Sequence, residues 1–307
     1  MDYRKIGSSG LRVSTIGLGT LTWGRDTDEV DAAACYEAYR QAGGNFIDTS
    51  PTYGDGRAET VLAPLIAEDD AIIATKVGVW QGRRDCSRRA ILASHERSRA
   101  NLRRKRIDLT LVSSWDDDVP ISETLGALHY LVEGGFTDYV GWCNLPAWQL
   151  AHVKTLANAM DLPLIALETE YSLLNRSIER EGQNACAHLG VGILGWAPLG
   201  RGVLTGKYRH ATPPDSRGAS VHLAGYVSPY LERKYAGTVE AVQAAADGLE
   251  RFAGEVALAW VRDRAEVATV ITGARTSAQL KQVLAADSLT IPRQVAGALD
   301  DVSNHLI

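Results

Sequence analysis

Three side chains in the first quarter of the chain have types that together can move a proton: Asp48 and Tyr53 in GGNFIDTSPTYG, and Lys76 in AIIATKVG. A phenol with its ordinary pKa near ~10 is a poor acid at neutral pH, and a neighbouring ammonium lowers that pKa by favouring the phenolate. A buried ammonium needs a counter-charge to stay protonated, which an aspartate on an adjacent strand supplies while fixing the direction of the lysine. The trio reads as a phenol general acid, Tyr53, with an Asp48–Lys76 tuning pair. Taken singly, Asp48 can cap a turn, Tyr53 can pack on a rim and Lys76 can be a surface charge. The chemistry depends on what brings them together.

Each of the three lies at or just after the end of a short β-branched run, and such runs recur along the chain with room for a helix between them. They are VSTIGLG from Val13, NFIDTS from Asn45, AIIATKV from Ala71, IDLTLVS from Ile107, DYVGWCN from Asp138, LIALETE from Leu164, VGILGWAP from Val191 and VATVITGA from Val267. Apolar residues at three- and four-residue spacing predict helices over 28–42, 87–102, 121–133 and 147–159. Eight such units predict an α/β fold, a (β/α)₈ TIM barrel formed by residues 1–307 as one domain, and 307 residues are enough to close it. The opening YRKIGSSGLRV predicts a β-hairpin that plugs the N-terminal end of the barrel. The polar stretch 200–235 follows the seventh strand and is too long for an ordinary connection, so it is expected to be a functional loop. In such barrels the site lies at the C-terminal ends of the strands, where Asp48, Tyr53 and Lys76 fall.

Composition narrows the function classes. With 45% hydrophobic and 22% charged residues the chain is an ordinary globular one. A net charge of -5 and a pI near 5.8 argue against a nucleic-acid partner, and the basic run RSRANLRRKR over 97–106 reads as a solvated helix face. Cys35, Cys86, Cys143 and Cys186 are scattered, with no CxxC pair and no His/Cys cluster at ligand spacing, so free thiols and no metal are expected. MDYRKIGSSG lacks the apolar segment of a signal peptide, and no run approaches membrane-spanning length. A cytoplasmic protein with no membrane partner is expected; whether it forms a homo-oligomer is left open.

In order and spacing, the segments YRKIGSSGLRVSTIGLGT, GGNFIDTSPTYG, ATKVG, EYSLLNR, PLGRGVLTGKY and TGARTSAQL resemble the motifs of the aldo-keto reductases, nearest the bacterial and potassium-channel β-subunit-like branch. The resemblance spans nearly the whole chain. It implies NADPH as cofactor, hydride transfer to a carbonyl or enone substrate, and Asp48, Tyr53 and Lys76 as three of four catalytic residues, with Tyr53 the proton donor. The fourth is a histidine in a pattern similar to DLYQLH; the chain reads DLTLVSSWDDDVP, which puts Ser113 in that place without a gap. Reductases with a replaced histidine include double-bond reductases, and the channel β-subunits, which resemble cofactor-sensing regulators with slow turnover, so both are rival readings.

The resemblance also assigns the cofactor contacts. Gly19, Thr20 and Leu21 follow the first strand, and Trp196 stands where an aromatic ring stacks on the nicotinamide. Pro198, Leu199, Arg201, Gly202 and Lys207 match the loop around the pyrophosphate, and Gly273, Arg275 and Gln279 match the grip on the adenosine 2′-phosphate. Cys143, Asn144 and Glu168 occupy the places that hold the carboxamide. The family has glutamine where this chain has Glu168, and an ionised carboxylate accepts hydrogen bonds but cannot donate one. Trp23, Trp80 and Trp115, on the loops after the first, third and fourth strands, are candidates to line a substrate pocket.

Overall fold

In the computed structural model, which describes residues 1–80, 82–214 and 216–307 and all of their side chains but that of Trp80, the eight runs form eight parallel strands. They are β1 (Ile16–Gly19), β2 (Phe46–Asp48), β3 (Ile72–Val77), β4 (Ile107–Val112), β5 (Thr137–Cys143), β6 (Leu164–Glu170), β7 (Gly192–Trp196) and β8 (Val267–Thr272). Each pairs with the next, and β8 pairs with β1 to close the barrel. The helices between them begin where the chain supplies a cap. Asp28 accepts from the Asp31 N–H at 2.8 Å ahead of helix Glu29–Gln41, and Ser87 accepts from the Ala90 N–H at 3.3 Å ahead of Arg88–Leu102.

Strand alternation sorts side chains into two sets. Ile47, Ile73, Val112, Val140, Leu167, Ile193 and Val270 face outward and pack with the helices. Phe46, Ala74, Leu109, Leu111, Ala166 and Leu194 form a separate buried cluster on the barrel axis. Counting on by twos from this inner set reaches Asp48, Lys76, Ser113, Glu168 and Trp196 at the C-terminal ends. The strand period therefore aims one candidate residue after another at the same axis.

The N-terminal hairpin pairs Tyr3–Lys5 with Arg12–Ser14, and its Ile6 and Val13 are fully buried in the inner cluster. It sits directly on the bottom of β7, where a Cβ on Gly192 would lie 2.5 Å from the Gly7 nitrogen. The opposite end is open to the long loop. That stretch is not structureless: it contains the 3₁₀ turns Gly200–Thr205, Arg217–Ala219, Ser228–Leu231 and Arg233–Tyr235 and the short helix Ala224–Val227. It reaches across the mouth, where Ser220 Oγ donates to Asp26 Oδ1 at 2.9 Å and Arg217 donates to the Gly273 carbonyl at 3.3 Å. No helix of the described residues is long and apolar enough to cross a membrane.

Candidate active site

The mouth of the barrel is organised around the Lys76 ammonium. It donates to Asp48 Oδ1 on the neighbouring strand and to the Thr49 carbonyl at 3.3 Å. Asp48 is fixed in turn, because the Thr20 N–H and Oγ1 each donate to its backbone carbonyl at 3.0 Å. Tyr53 opens a tight turn, Tyr53–Gly56, just beyond β2, and the ammonium lies 5.2 Å from its ring centroid. The three residues singled out by chemical type are therefore neighbours.

A second carboxyl joins them. Glu168 Oε2, from β6, lies 3.3 Å from Lys76 Nζ, and Asp48, Lys76 and Glu168 are all buried. Burial alone would lower the lysine, but Asp48 and Glu168 outweigh it and hold the ammonium well above its ordinary value. Burial, reinforced by the charge of Asp48, pushes the Glu168 carboxyl up to about 8, with Lys76 opposing. The direction of that shift favours the neutral acid.

The second carboxyl changes the tuning of Tyr53 expected from sequence. Burial raises the phenol most; Lys76 pulls it down, but Asp48 and Glu168 push it further up. The net direction is upward, opposite to the expected activation by lysine, because burial of the phenol outweighs the lysine, with the carboxyls adding to it. That direction favours the protonated phenol.

Ser113 continues β4 by one residue, its N–H donating to the Val77 carbonyl at 2.9 Å, next to the strand that carries Lys76. Trp115 follows on the rim, tilted against Trp142 at 6.4 Å and Trp148 at 5.9 Å, with its indole N–H donating to Asp117 at 2.8 Å. Trp23 is a correction. With 0% of its surface accessible it packs in the outer core and cannot touch a bound molecule in this conformation. Trp80 ends the short strand Val79–Trp80 beyond β3, and its side chain lies outside the described residues.

On the other side of the mouth, Trp196 Nε1 donates to Asn144 Oδ1 at 3.1 Å, and the Asn144 N–H donates to the Glu168 carbonyl at 2.8 Å. Asn144 adopts a left-handed conformation, φ 58°, that asparagine tolerates better than most residues. Cys143 is buried beside Glu168, and burial together with that carboxyl pushes its thiol well up. All four cysteines are free. Among the residues after β7, Pro198 is buried, Leu199 and Gly202 are half-buried and Lys207 is exposed, its ammonium over the Tyr208 ring at 5.3 Å.

Arg201 departs from expectation. Its guanidinium makes a two-point pair with Glu170 at 3.0 and 2.7 Å, donates to the Tyr226 carbonyl at 2.7 Å and lies 4.0 Å from the Tyr226 ring centroid. It anchors the loop to β6 with its charge matched by Glu170. Arg217 was not singled out from sequence, since nothing in PPDSRGAS marks it. It stands at the end of β8 near Arg275, and burial, aided by repulsion from Arg275, lowers it despite Tyr226 and Tyr208. Arg275 itself donates from Nε to the Asp26 carbonyl and from its backbone N–H to Gln279, both at 3.2 Å. Leu21 and Gly19 lie on the loop edge across from them, and a Cβ on Gly273 would meet the Gly19 carbonyl oxygen at 2.6 Å.

A closed eight-stranded barrel with a buried Asp–Lys pair and a tyrosine at its C-terminal mouth is matched by comparison with known proteins. Residues 15–304 match the model of the aldo/keto reductase family. The chain belongs to that family. Among similar curated proteins are two described as probable voltage-gated potassium channel subunit beta, from Arabidopsis thaliana and Oryza sativa subsp. japonica. Each is 31% identical, over 92% and 91% of this chain and 90% and 89% of the relative. Membership of the aldo/keto reductases implies NAD(P)H-dependent oxidoreduction. The mouth of this aldo/keto reductase fits such a cofactor on two observations. Glu168 Oε2 is a buried oxygen that accepts no hydrogen bond, and the Arg217 guanidinium at the end of β8 is lowered chiefly by burial and further by the charge of Arg275, a setting that an anion would relieve.

Proposed function

We propose that the protein is an NADPH-dependent oxidoreductase that reduces a carbonyl, enone or keto-sugar, with Tyr53 as its general acid. The observation that carries the reading is the Tyr53 phenol set beside an ammonium that two buried carboxyls hold in place. A nicotinamide, when bound, supplies hydride to an electrophilic carbon. Trp196, Asn144 and Glu168 are the groups to hold its ring and carboxamide, and Arg217, Arg275 and Lys207, with the backbone at Leu199 and Gly202, are those to meet its phosphates.

The chain's own part in the chemistry follows from its charges. Tyr53 keeps its proton until an oxygen beside it gains negative charge, then gives that proton up. Lys76 stabilises the phenolate left behind, and Asp48 keeps the lysine aimed. Ser113 offers a shorter and weaker donor than an imidazole and leaves room beside the reacting carbon. With Trp115 and Trp148 on the adjacent rim, that room suits a bulky apolar or ring-shaped substrate. Buried free thiols suit a reducing, cytoplasmic setting.

A second reading is favoured by the relatives described as potassium channel β subunits and by the missing imidazole: a regulatory subunit that holds NADPH and turns over slowly. NADPH consumption measured over aldehydes, ketones, enones and keto-sugars separates the two. Rapid turnover on one class supports the oxidoreductase. NADPH binding with uniformly slow turnover supports the regulator, and failure to bind NADPH at all sinks both.

A further inference from the structure

Two buried carboxyls share one ammonium at the mouth, and the geometry treats them unequally. Lys76 gives its hydrogen bond to Asp48, whereas Glu168 Oε2, 3.3 Å away, receives none and is shielded from solvent. With both carboxyls ionised the group carries one uncompensated negative charge in a dry place, which is costly. A proton on Glu168 removes it, and Glu168 is the carboxyl without a committed partner.

We propose that Glu168 is an ionisable selector between the two redox forms of the bound nicotinamide: as the neutral acid it leaves the mouth uncharged, and as the carboxylate it favours the oxidised, cationic ring. The inference rests on the proposed nicotinamide site and adds a charge dependence to it. An oxidised nicotinamide ring is positive and a reduced one is neutral. A negative charge that appears beside the ring stabilises only the former, through an interaction little screened by solvent at this depth.

Charged and titratable groups face Glu168 from every surrounding element, and burial pushes the Asp48 carboxyl up as well, against Lys76. They are Asp48 on β2, Tyr53 beyond it, Lys76 on β3, Cys143 on β5 and Tyr226 on the long loop; Glu170, on the same strand, is paired with Arg201. The tyrosines and Cys143 are pushed up by burial, Lys76 is held well above its ordinary value by Asp48 and Glu168, and Asp48 keeps the lysine's hydrogen bond. Glu168, pushed up to about 8 by burial and Asp48, is the carboxyl of the pair whose Oε2 receives no hydrogen bond, and the range from pH 7 to 9.5 brackets its titration.

The test is the affinity of the wild-type chain and of Glu168→Gln for NADPH and for NADP⁺, measured by tryptophan fluorescence at intervals from pH 7 to pH 9.5. The ratio of the two affinities cancels contacts common to both cofactors, including those to phosphate. In the wild type the ratio is expected to move toward NADP⁺ by roughly tenfold or more across this range, and in Glu168→Gln by less than about twofold, since the amide carries no charge. A ratio that is flat in the wild type, or that moves equally in both proteins, overturns the inference while leaving the nicotinamide site intact. Failure of the wild type to bind either cofactor overturns the site itself. Calorimetry of the wild type alone, at pH 8 in two buffers of different ionisation enthalpy, serves if Glu168→Gln does not fold. NADP⁺ must then release more protons on binding than NADPH does, and equal counts overturn the inference.

Discussion

Glu168 Oε2 lies 3.3 Å from the Lys76 ammonium and accepts no hydrogen bond, although both side chains are buried. Proximity without a bond means that the lysine's charge only partly offsets the cost of burying the carboxyl, and the folded chain retains a proton there. That proton links folding to pH in a direction opposite to that of an ordinary salt-bridged carboxylate.

Glu168 in the unfolded chain ionises near ~4.3, while in the folded chain burial and Asp48 push it up to about 8. Between these values the folded state binds a proton that the unfolded state does not. Its contribution to stability is complete below the unfolded value and is lost as pH rises through the folded one, at up to about 1.4 kcal/mol per pH unit. Thermal unfolding of the cofactor-free protein should show the wild type losing stability relative to Glu168→Gln from pH 5 to pH 8, with the difference level above that. Parallel curves would show that Glu168 is ionised in both states.

Tyr53→Phe keeps the ring against Lys76 and removes the proton. Turnover should fall by roughly 10²–10⁴-fold, the usual worth of positioned acid catalysis, with NADPH affinity little changed. Single-turnover rates at saturating NADPH are the measurement. A retained rate assigns the proton to another group.

Most of this arrangement was legible from residue types and the strand period. The β-branched runs located all eight strands and residue types marked Asp48, Tyr53 and Lys76, whereas Ser113, Glu168 and Trp196 came from the resemblance; in the fold, alternation turns Asp48, Lys76, Ser113, Glu168 and Trp196 toward one axis. What could not be read was how charges are divided among them. Arg201 reads as a phosphate ligand in GRGVLTGKY, and its pair with Glu170, thirty-one residues away, shows only in the fold. The upward direction of Tyr53 likewise follows first from its burial, which residue type and position do not show, with Asp48 and Glu168 adding to it. Trp23 was misplaced because a position on a mouth loop does not say whether the side chain turns outward or into the core.

Arg275 follows β8, and the proposed site gives it the cofactor's 2′-phosphate. Arg275→Ala should weaken NADPH by tenfold or more and NADH by much less, since a charge-assisted bond to phosphate contributes roughly 1.5–3 kcal/mol. Fluorescence titration with both cofactors decides it. Equal losses would show that Arg275 only supports the loop through Asp26.

Ser113→His restores an imidazole at the end of β4. If Ser113 stands where the substrate oxygen is held, a donor to that oxygen is worth roughly 2.7–4 kcal/mol, so reduction of simple aldehydes should rise about a hundredfold or more. Activity on the substrate class found by the screen should fall as the space closes. Both rates are to be measured on one preparation at saturating NADPH. An unchanged aldehyde rate in a folded, cofactor-binding variant removes Ser113 from the site.

The inner cluster of Phe46, Ala74, Leu109, Leu111, Ala166 and Leu194, stoppered by Ile6 and Val13 of the hairpin, does more than fill the barrel. It is an apolar floor beneath Tyr53, Lys76, Asp48 and Glu168, and the loop bearing Ser220 and Arg217 crosses the mouth above them. In the proposed reaction a proton passed from Tyr53 to a product is therefore expected to be replaced from the mouth side, past that loop, and not through the floor.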